Sequence, residues 1–401
     1  MMKVCIISRG DLPLFPPTQG ASVKLFYTMK TLSELGIKVY FVTAENEYYF
    51  EVWEGKFKKK SFPSSIAKSP IQEYHKALLS RLGIPNDIFV LYHPLINFKL
   101  WFKLLYVVLK EKIDLIQAEF TAFGLPAIFI KLLTHKPVVL VEHNVESFQL
   151  PEVTKLNKKG EMVVKLTEKL ACNLSDRVIV MCKEEKKKLC RIGVKKEKIV
   201  IIPHGVDLKL YKNLNPKKIR KKYKLKFPTL VFHGTFSYKP NYDAIKRIAE
   251  EILPKLRKRG IKAKVLAIGN FPPKDIKSEE IIFTGPVRNL PDYIAAGDIA
   301  IVPIEAGGGI RMKILEYFAA KKPVISTPKG IEGIPAKNER EAIIANIEEF
   351  PKQIVRLIKS KKLRKKLKEN AFKFVQSYDW KNICQEYVKV YKELLKFKSS
   401  Y

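Results

Sequence analysis

Three consecutive glycines followed by two basic residues give one stretch of the chain the chemistry of an anion site. In order, this stretch holds Gly307, Gly308, Gly309, Ile310, Arg311 and Lys313. Glycines let the backbone approach a ligand closely, and the free amides at a helix start favour an anion. Basic residues at a helix start are electrostatically unfavourable unless an anion lies there. The spacing therefore predicts a diphosphate-binding turn.

Glu316 lies three residues after Lys313 and therefore near it on a helix surface. A carboxylate at this place can accept hydrogen bonds from a sugar diol, as the acidic residue of dinucleotide sites does for ribose. Our hypothesis places a diphosphate at the glycine turn and a ribose at Glu316. The alternative is a glycine turn that binds nothing, beside a surface ion pair between Lys313 and Glu316.

The elements that would position these residues form one βαβ unit. The apolar run Ile299 to Ile304 predicts a buried strand, and apolar residues at three-to-four spacing predict a helix at about Ile310 to Ala320. A second strand is predicted at Val324 to Thr327. Strands and helices alternate along the rest of the chain as well, which predicts an α/β protein with two doubly wound parallel sheets.

Length and composition fit a globular protein of two domains. The chain has 401 residues, 46% of them hydrophobic, and no apolar run reaches the roughly 18 residues of a membrane-spanning helix. The start, Met1 to Ser8, predicts a first strand rather than a signal peptide. The five cysteines are scattered without metal-ligand spacing. We therefore expect a cytoplasmic protein with reduced thiols and no metal site.

The charge is strongly positive, with 75 Lys and Arg against 40 Asp and Glu, or +35 net. Such an excess implies an anionic environment, which could be a nucleotide, an anionic membrane surface or a nucleic acid. Two basic and aromatic stretches, Lys56 to Lys60 and Phe98 to Val108, could lie peripherally on the inner membrane face. The alternative for the second stretch is a core helix with lysines on its exposed edge.

Candidate polar residues in the first half lie beside predicted strands and helices. Glu119 and His143 come just past strand ends, where open α/β sheets bind ligands. His143 is the best catalytic candidate among the histidines, with a structural role as the alternative. Gly20, Ala21 and Ser22 form a small-residue loop before a helix and could face a phosphate or an acceptor. The alternative is an ordinary loop.

Four motifs in order resemble those of a known enzyme family. They are Pro203-His204-Gly205-Val206-Asp207, Phe232-His233-Gly234-Thr235, Phe283-Thr284-Gly285 and Gly307 to Glu316. As a set they resemble glycosyltransferase family four, the large "group 1" of retaining transferases. The resemblance implies a GT-B fold, in which two Rossmann-like domains face a central cleft. It implies transfer of a hexose from a nucleotide-diphosphate-sugar donor to a glycan or lipid-linked acceptor with retained anomeric configuration. No metal or other cofactor is then required.

The resemblance also assigns roles to residues and ranges. Residues 1–206 would form the acceptor-side domain, 207–376 the donor-binding domain, and 377–401 a helix that crosses back to the first domain. Glu316 matches the glutamate that binds the donor ribose, and His143 resembles the histidine near the reacting sugar. The implied donor-binding set is Gly234, Thr235, Lys239, Glu305, Gly307, Gly308, Gly309, Ile310 and Glu316.

Two departures from the family pattern stand out. The family has a second glutamate eight residues before the one that matches Glu316, but Gly308 occupies that place, and Glu305 could stand in for it. The family's basic pair follows the glycine that matches Gly234, where this chain has a threonine, with only Lys239 nearby. Arg311 and Lys313 are therefore expected to supply the missing charge and to act in catalysis.

Three other functions remain open. A nucleotide-sugar epimerase would share the fold without using an acceptor. A catalytically silent nucleotide-sugar-binding subunit would explain the glycine at 308. A nucleic-acid-binding protein would explain the charge, but the basic residues are dispersed over both halves and no known binding module is recognisable. No specific nucleic acid partner is therefore expected.

Overall fold

The computed structural model describes residues 1–17, 20–67 and 73–398, so the predicted last segment, 377–401, is described only to 398. Contacts between Cα atoms divide the chain into two units. The first holds Met1–Pro203 together with the chain from Trp380 onward, and the second holds His204–Asp379. The roles that we assigned to the predicted domains stay predictions.

One eight-stranded sheet forms the centre of the first unit. Its strands are β1 Lys3–Ser8, β2 Lys38–Thr43, β3 Tyr48–Trp53, β4 Lys56–Ser61, β5 Leu115–Glu119, β6 Val138–Val141, β7 Arg177–Val180 and β8 Ile199–Ile201. Their order is β4-β3-β2-β1-β5-β6-β7-β8. The six strands β2, β1, β5, β6, β7 and β8 are parallel, whereas β3 and β4 form an antiparallel extension at the β2 edge. Strands covered on both faces become continuous apolar runs, as in Val4 to Ile7.

Helices cover both faces of this sheet. In chain order they are α1 Gly20–Glu34, α2 Ser64–Ala67, α3 Glu73–Arg81, α4 Phe89–Tyr92, α5 Phe98–Lys110, α6 Thr121–Thr134, α7 Glu146–Val153, α8 Lys158–Leu174 and α9 Lys183–Arg191. The connection through α1 runs one way along the sheet, whereas those through α6, α8 and α9 run the other way. Because such crossovers are right-handed, α1 lies on one face and α5, α6, α8 and α9 lie on the opposite face.

The second unit contains a six-stranded parallel sheet in the order β11-β10-β9-β12-β13-β14. These strands are β9 Thr229–His233, β10 Lys264–Ile268, β11 Ile281–Phe283, β12 Ile299–Val302, β13 Val324–Ser326 and β14 Ile343–Ile344. The helices are α10 Pro216–Lys222, α11 Lys239–Arg247, α12 Leu253–Arg257, α13 Leu290–Ala296, α14 Met312–Ala319, α15 Phe350–Lys359 and α16 Lys361–Val375. A π-helical turn at Ile248–Ile252 joins α11 to α12.

The last helix, α17 (Trp380–Lys398), returns to the first unit and packs on α1. The rings of Trp380 and Tyr27 stack with their centroids 5.9 Å apart. The Tyr391 hydroxyl donates a hydrogen bond to the Gln117 side chain of β5. The C-terminal helix is therefore part of the core of the unit that the chain begins.

Each sheet has one point where the strand order reverses. In the first unit the chain runs from β1 to β2 on one side and resumes with β5 on the other side of β1. In the second unit it runs from β9 through β10 to β11 and resumes with β12 on the other side of β9. Open α/β sheets bind ligands outside the carboxyl ends of the strands at such points. The fold thus directs attention to the ends of β1 and β5 and of β9 and β12.

The structure adds detail to three local features of the sequence. The basic run Lys56 to Lys60 is the edge strand β4, where lysines discourage pairing with another chain. Gly20 to Ser22 are not a loop but the first turn of α1, which begins earlier than predicted. The helix predicted at about Ile310 begins at Met312, and Arg311 is its N-cap.

Among the described residues, no single helix is long and apolar enough to cross a membrane. One bent pair of helical segments, Asn86–Leu95 and Phe98–Lys110, meets the length and composition criteria together, with a bend of 47° between them.

Candidate functional site

The glycine turn after β12 wraps around the side chain of Arg311. Its guanidinium donates hydrogen bonds to four successive backbone carbonyls, from Ala306 to Gly309, including one of 2.8 Å to Gly307. The side chain is buried. Arg311 therefore fixes the shape of the turn and offsets the carbonyl dipoles, which is a role that the sequence did not reveal.

Lys313 is a buried cation in the first turn of α14. Its Nζ donates to Asn241 Oδ1 over 2.7 Å and lies 4.1 Å from the centroid of the Phe232 ring. Burial and the Arg311 charge lower the pKa of Lys313 to about 7, although the Glu316 charge opposes them. A ligand anion close to this ammonium would raise the pKa again and stabilise the charged form.

Asn241 connects this lysine to the end of β9. Its Nδ2 donates to the Thr235 carbonyl over 2.9 Å, while its Oδ1 accepts from Lys313. A Cβ added at Gly234 would lie 2.7 Å from Asn241 Nδ2, so only glycine fits there. Lys239, by contrast, is an exposed side chain paired with Asp243 at 3.1 Å.

Glu316 faces the same strand end. Its Oε2 lies 2.8 Å from His233 Nε2, and the Nδ1 of that ring lies 3.0 Å from the Tyr317 hydroxyl. The backbone N–H of His233 donates to the same hydroxyl over 2.9 Å. The alternative of a surface ion pair between Lys313 and Glu316 is therefore wrong. The Glu316 side chain is 21% exposed, which leaves it accessible to a diol.

Two predicted donor-side residues occupy less central places. Glu305 forms an ion pair with Arg247, with 2.6 Å between Oε2 and the guanidinium, and its side chain is 47% exposed. Ile310 is buried beside the glycine turn. The second unit thus brings together Gly234, Thr235, the glycine turn, Lys313 and Glu316 at the carboxyl ends of β9 and β12.

A buried ion-pair network lies at the equivalent edge of the first unit. Glu119, the last residue of β5, accepts from His143 Nε2 at 2.6 Å and from Lys24 Nζ at 3.1 Å. All three side chains are buried. The Gln117 amide donates to the other carboxylate oxygen, and Phe120 stacks on the His143 ring with centroids 4.0 Å apart.

The charges of this network are set by burial and by Lys24. Burial opposes the ionised form of Glu119, but the Lys24 ammonium and the His143 hydrogen bond hold its pKa at about 2. Burial and the Lys24 charge lower the pKa of His143 to about 4, although the Glu119 carboxylate opposes them. The imidazole is therefore neutral near pH 7. It donates Nε2–H to Glu119 and leaves Nδ1 as an acceptor.

The structure relates the predicted acceptor-side residues through α1. Gly20, Ala21 and Ser22 open this helix and Lys24 follows within it, so the same helix carries the cation that pairs with Glu119. The Ser22 side chain is buried. His143 and Glu119 belong to the first unit, and Arg311, Lys313 and Glu316 belong to the second.

Three residues of these clusters escaped the sequence reasoning. His233 stands inside a quoted motif at the end of β9, so its place at the strand-order reversal was a usable signal. Lys24 and Asn241 gave no signal, because a single lysine or asparagine in a helix is ordinary. Among residues 1–17, 20–67 and 73–398, no group of three or more His, Cys, Asp or Glu side chains could hold a metal ion.

Comparison with known families accounts for most of both units. The description "Glycosyltransferase Family 4" matches residues 18–210, and "Glycosyl transferases group 1" matches residues 227–360. The chain belongs to the group 1, family 4 glycosyltransferases. The family predicted from the four motifs is thereby confirmed, and this glycosyltransferase carries both of the domains that the two descriptions define.

Individual relatives agree with this assignment. An uncharacterised glycosyltransferase of Methanocaldococcus jannaschii is 26% identical over 322 residues, which cover 75% of this chain and 80% of the relative. Anabaena HepE in complex with UDP superposes with a TM-score of 0.70 at 16% identity, covering 98% of this chain and all of HepE. Sucrose-phosphate synthase from Thermosynechococcus elongatus superposes with a TM-score of 0.72 at 16% identity, covering 99% of this chain and all of the synthase chain. The GT-B fold with two Rossmann-like domains is confirmed.

Proposed function

We propose that this glycosyltransferase moves a hexose from a nucleoside-diphosphate sugar to a glycan or lipid-linked acceptor and retains the anomeric configuration. The observation that carries the proposal is the buried Lys313, which lies between a glycine turn and Glu316 where the strand order reverses. HepE has been solved with UDP and with UDP-glucose, which supports a nucleotide-sugar donor of this class.

The residues of the second unit are suited to a departing diphosphate. As the glycosidic bond breaks, negative charge develops on the leaving phosphate oxygens, and a fixed cation in a buried site stabilises that charge strongly. Lys313 supplies such a cation, and Arg311 keeps the turn in shape through its four carbonyl contacts. We propose that these fixed charges make a divalent metal unnecessary. Glu316 would hold the ribose, with His233 orienting its carboxylate.

The first unit would serve the acceptor and the transferred sugar. His143 presents a neutral imidazole whose orientation Glu119 fixes from one side. With Nε2–H donated to Glu119, the ring offers Nδ1 as an acceptor for a sugar hydroxyl. We propose this as the catalytic contribution of His143, a positioning contact to the sugar rather than a nucleophilic attack.

Thermal-shift titration of nucleoside diphosphates on wild type and Glu316→Ala tests the donor site. A ligand that binds only the folded state adds about 2.7 kcal/mol of stability at a concentration of a hundred times its Kd. We expect UDP or another nucleoside diphosphate to raise the melting temperature of wild type and to lose most of this effect in Glu316→Ala. Glu369→Ala, which alters a glutamate of α16, should behave as wild type.

Product analysis then separates transfer from the other functions. Incubation of the donor with acceptor, followed by NMR of the anomeric coupling, should show a retained linkage that forms equally in EDTA. A free nucleotide sugar converted without acceptor would assign an epimerase. Binding with neither transfer nor hydrolysis would assign a silent subunit, the outcome that a glycine at position 308 would then explain.

A further inference from the structure

Three neighbouring helices of the first unit form one continuous outer surface. α5, α6 and α8 lie on the same face of the sheet, and α6 packs against both of the others. The Trp101 ring of α5 contacts the Phe129 ring of α6, with 5.1 Å between centroids. Gly124 lets α6 approach α8 closely, because a Cβ there would lie 3.0 Å from the Ala171 Cβ. We call this surface the three-helix face.

The three-helix face exposes an unusual amount of apolar side chain. Twenty large apolar residues are exposed among the described residues, and half of them lie on these three helices. They are Phe98, Phe102, Leu109, Phe129, Leu132, Leu133, Met162, Leu166, Leu170 and Leu174. Scattered single apolar residues need no explanation, but a contiguous patch of this kind marks a surface that contacts something apolar.

The exposed apolar residues of α8 follow helical spacing. Met162, Leu166, Leu170 and Leu174 recur every four residues along α8, which places them on one side of that helix. The opposite side of α8 is buried, with Val164 fully inside. The helix therefore has one apolar side for the core and another that faces outward, so the outer stripe is not needed for folding.

Lysines surround these apolar stripes. The three helices, all of whose residues are described, carry seven lysines outside the core, namely Lys99, Lys110, Lys131, Lys158, Lys159, Lys165 and Lys169. The same helices expose only one acid, Glu161. Lys131 is paired with Asp176 at 2.7 Å, just beyond the end of α8. The three-helix face is thus apolar in its stripes and positive around them.

We propose that the three-helix face docks on an anionic lipid bilayer. Its apolar stripes would enter the boundary between headgroups and acyl chains, and its lysines would lie against the lipid phosphates. Charge decides between this occupant and a second copy of the chain, because pairing the face with itself would bring two sets of lysines together. The proposal is independent of sugar transfer, since it rests on α5, α6 and α8 alone.

Vesicle flotation of the full chain tests the proposal with paired variants. Leu166→Gln with Leu170→Gln removes part of an apolar stripe, and Lys165→Glu with Lys169→Glu reverses two charges. We expect wild type to float with vesicles of phosphatidylcholine and phosphatidylglycerol but not with phosphatidylcholine alone. Each double variant should lose about tenfold or more in partitioning, since both apolar burial and lysine charge contribute.

Matched controls separate the three-helix face from general charge. Lys361→Glu with Lys362→Glu makes the same charge change on α16, and Phe271→Ser removes an exposed ring of the second unit. Both should float as wild type does. Equal loss in the α16 variant, or no flotation of wild type, would overturn the proposal. A dimer that light scattering detects in wild type but not in the double leucine variant would also overturn the proposal, because a second copy of the chain would then occupy the three-helix face. Unchanged melting temperature and donor binding verify that the variants fold.

Discussion

Burial destabilises the charged form of Lys313 until an anion binds beside it. Its Nζ is buried against Asn241 and the Phe232 ring, and burial brings its pKa to about 7. Binding a diphosphate should raise that pKa, so the complex takes up a proton at pH values above 7. Between the free and the bound pKa, affinity should fall about tenfold for each pH unit gained.

Calorimetric titration of a nucleoside diphosphate from pH 7 to 9 measures this dependence. Two buffers of different ionisation enthalpy at one pH report the proton uptake directly. Lys313→Met should bind more weakly and lose the slope, because no buried ammonium remains to titrate. Lys239→Met changes an exposed lysine paired with Asp243 and should keep the slope. A wild-type affinity that does not change over this range would contradict the assignment of Lys313.

The first unit illustrates which residue properties a sequence carries. The positions of Glu119 and His143 at strand ends were predictable, because an apolar run shows where a buried strand stops. Their partner was not, since Lys24 lies 95 residues from Glu119 and pairs with it only through the tertiary fold. The direction in which the Arg311 side chain points could not be predicted, for the same reason. Its charge was predicted to face a ligand, yet its guanidinium contacts the carbonyls of its own turn.

At the scale of elements, the buried parallel strands were the elements that the sequence predicted best. The strand Val324–Ser326 ends only one residue before its predicted bound, because both of its faces are covered and its apolar run is clear in the sequence. The antiparallel hairpin of β3 and β4 was missed. Its outer strand carries four lysines, three of them exposed, and that composition is equally typical of a solvated segment. Edge strands contribute little apolar signal, so sequence patterns detect them poorly.

Glycine at 234 is required by the contact between the β9 turn and α11. The residue has φ of 155°, and an added Cβ would meet Asn241, which is itself held by Thr235 and Lys313. Gly234→Ala should therefore cost about 1–3 kcal/mol of folding free energy and also weaken donor binding, because Asn241 must move. Denaturant unfolding and nucleotide titration measure the two effects.

Gly260→Ala is the matched control for this substitution. Gly260 also has positive φ, 76°, but nothing lies within 4 Å of its added Cβ. It should lose only about 1 kcal/mol, from the left-handed backbone, and bind nucleotide as wild type does. Equal losses of binding in both variants would show that the close contact with Asn241 is unimportant.

At the scale of the molecule, buried acids oppose a strongly positive surface. Three glutamates, Glu142, Glu146 and Glu168, are buried together in the first unit of a chain of net charge +35. Tyr92 donates to Glu146 over 2.6 Å, and Ser147 donates to Glu168 through its backbone and its hydroxyl. Burial raises the pKa of all three, and their mutual repulsion adds to the effect on Glu142 and Glu168.

The contribution of Glu168 to stability should therefore fall as the pH rises toward 8. Burial raises the pKa of Glu168 from 4.5 to about 8, so between these values the unfolded chain releases a proton that the folded chain keeps. The stabilisation is complete below pH 4.5 and declines by about 1.4 kcal/mol for each pH unit until the folded pKa is passed. Burial lowers the pKa of Lys313 to about 7 and those of Lys103 and Lys322 to about 8, so these lysines lose protons in the folded state over the same range and oppose the decline. The contribution of Glu168 is therefore measured as the difference in slope between wild type and Glu168→Gln. Denaturant unfolding at several pH values should show that the stability of wild type relative to Glu168→Gln, whose amide cannot ionise, falls as the pH rises toward 8. Glu369→Gln, on the surface of α16, should keep the full slope, and identical slopes in all three proteins would mean that Glu168 is already ionised at pH 7.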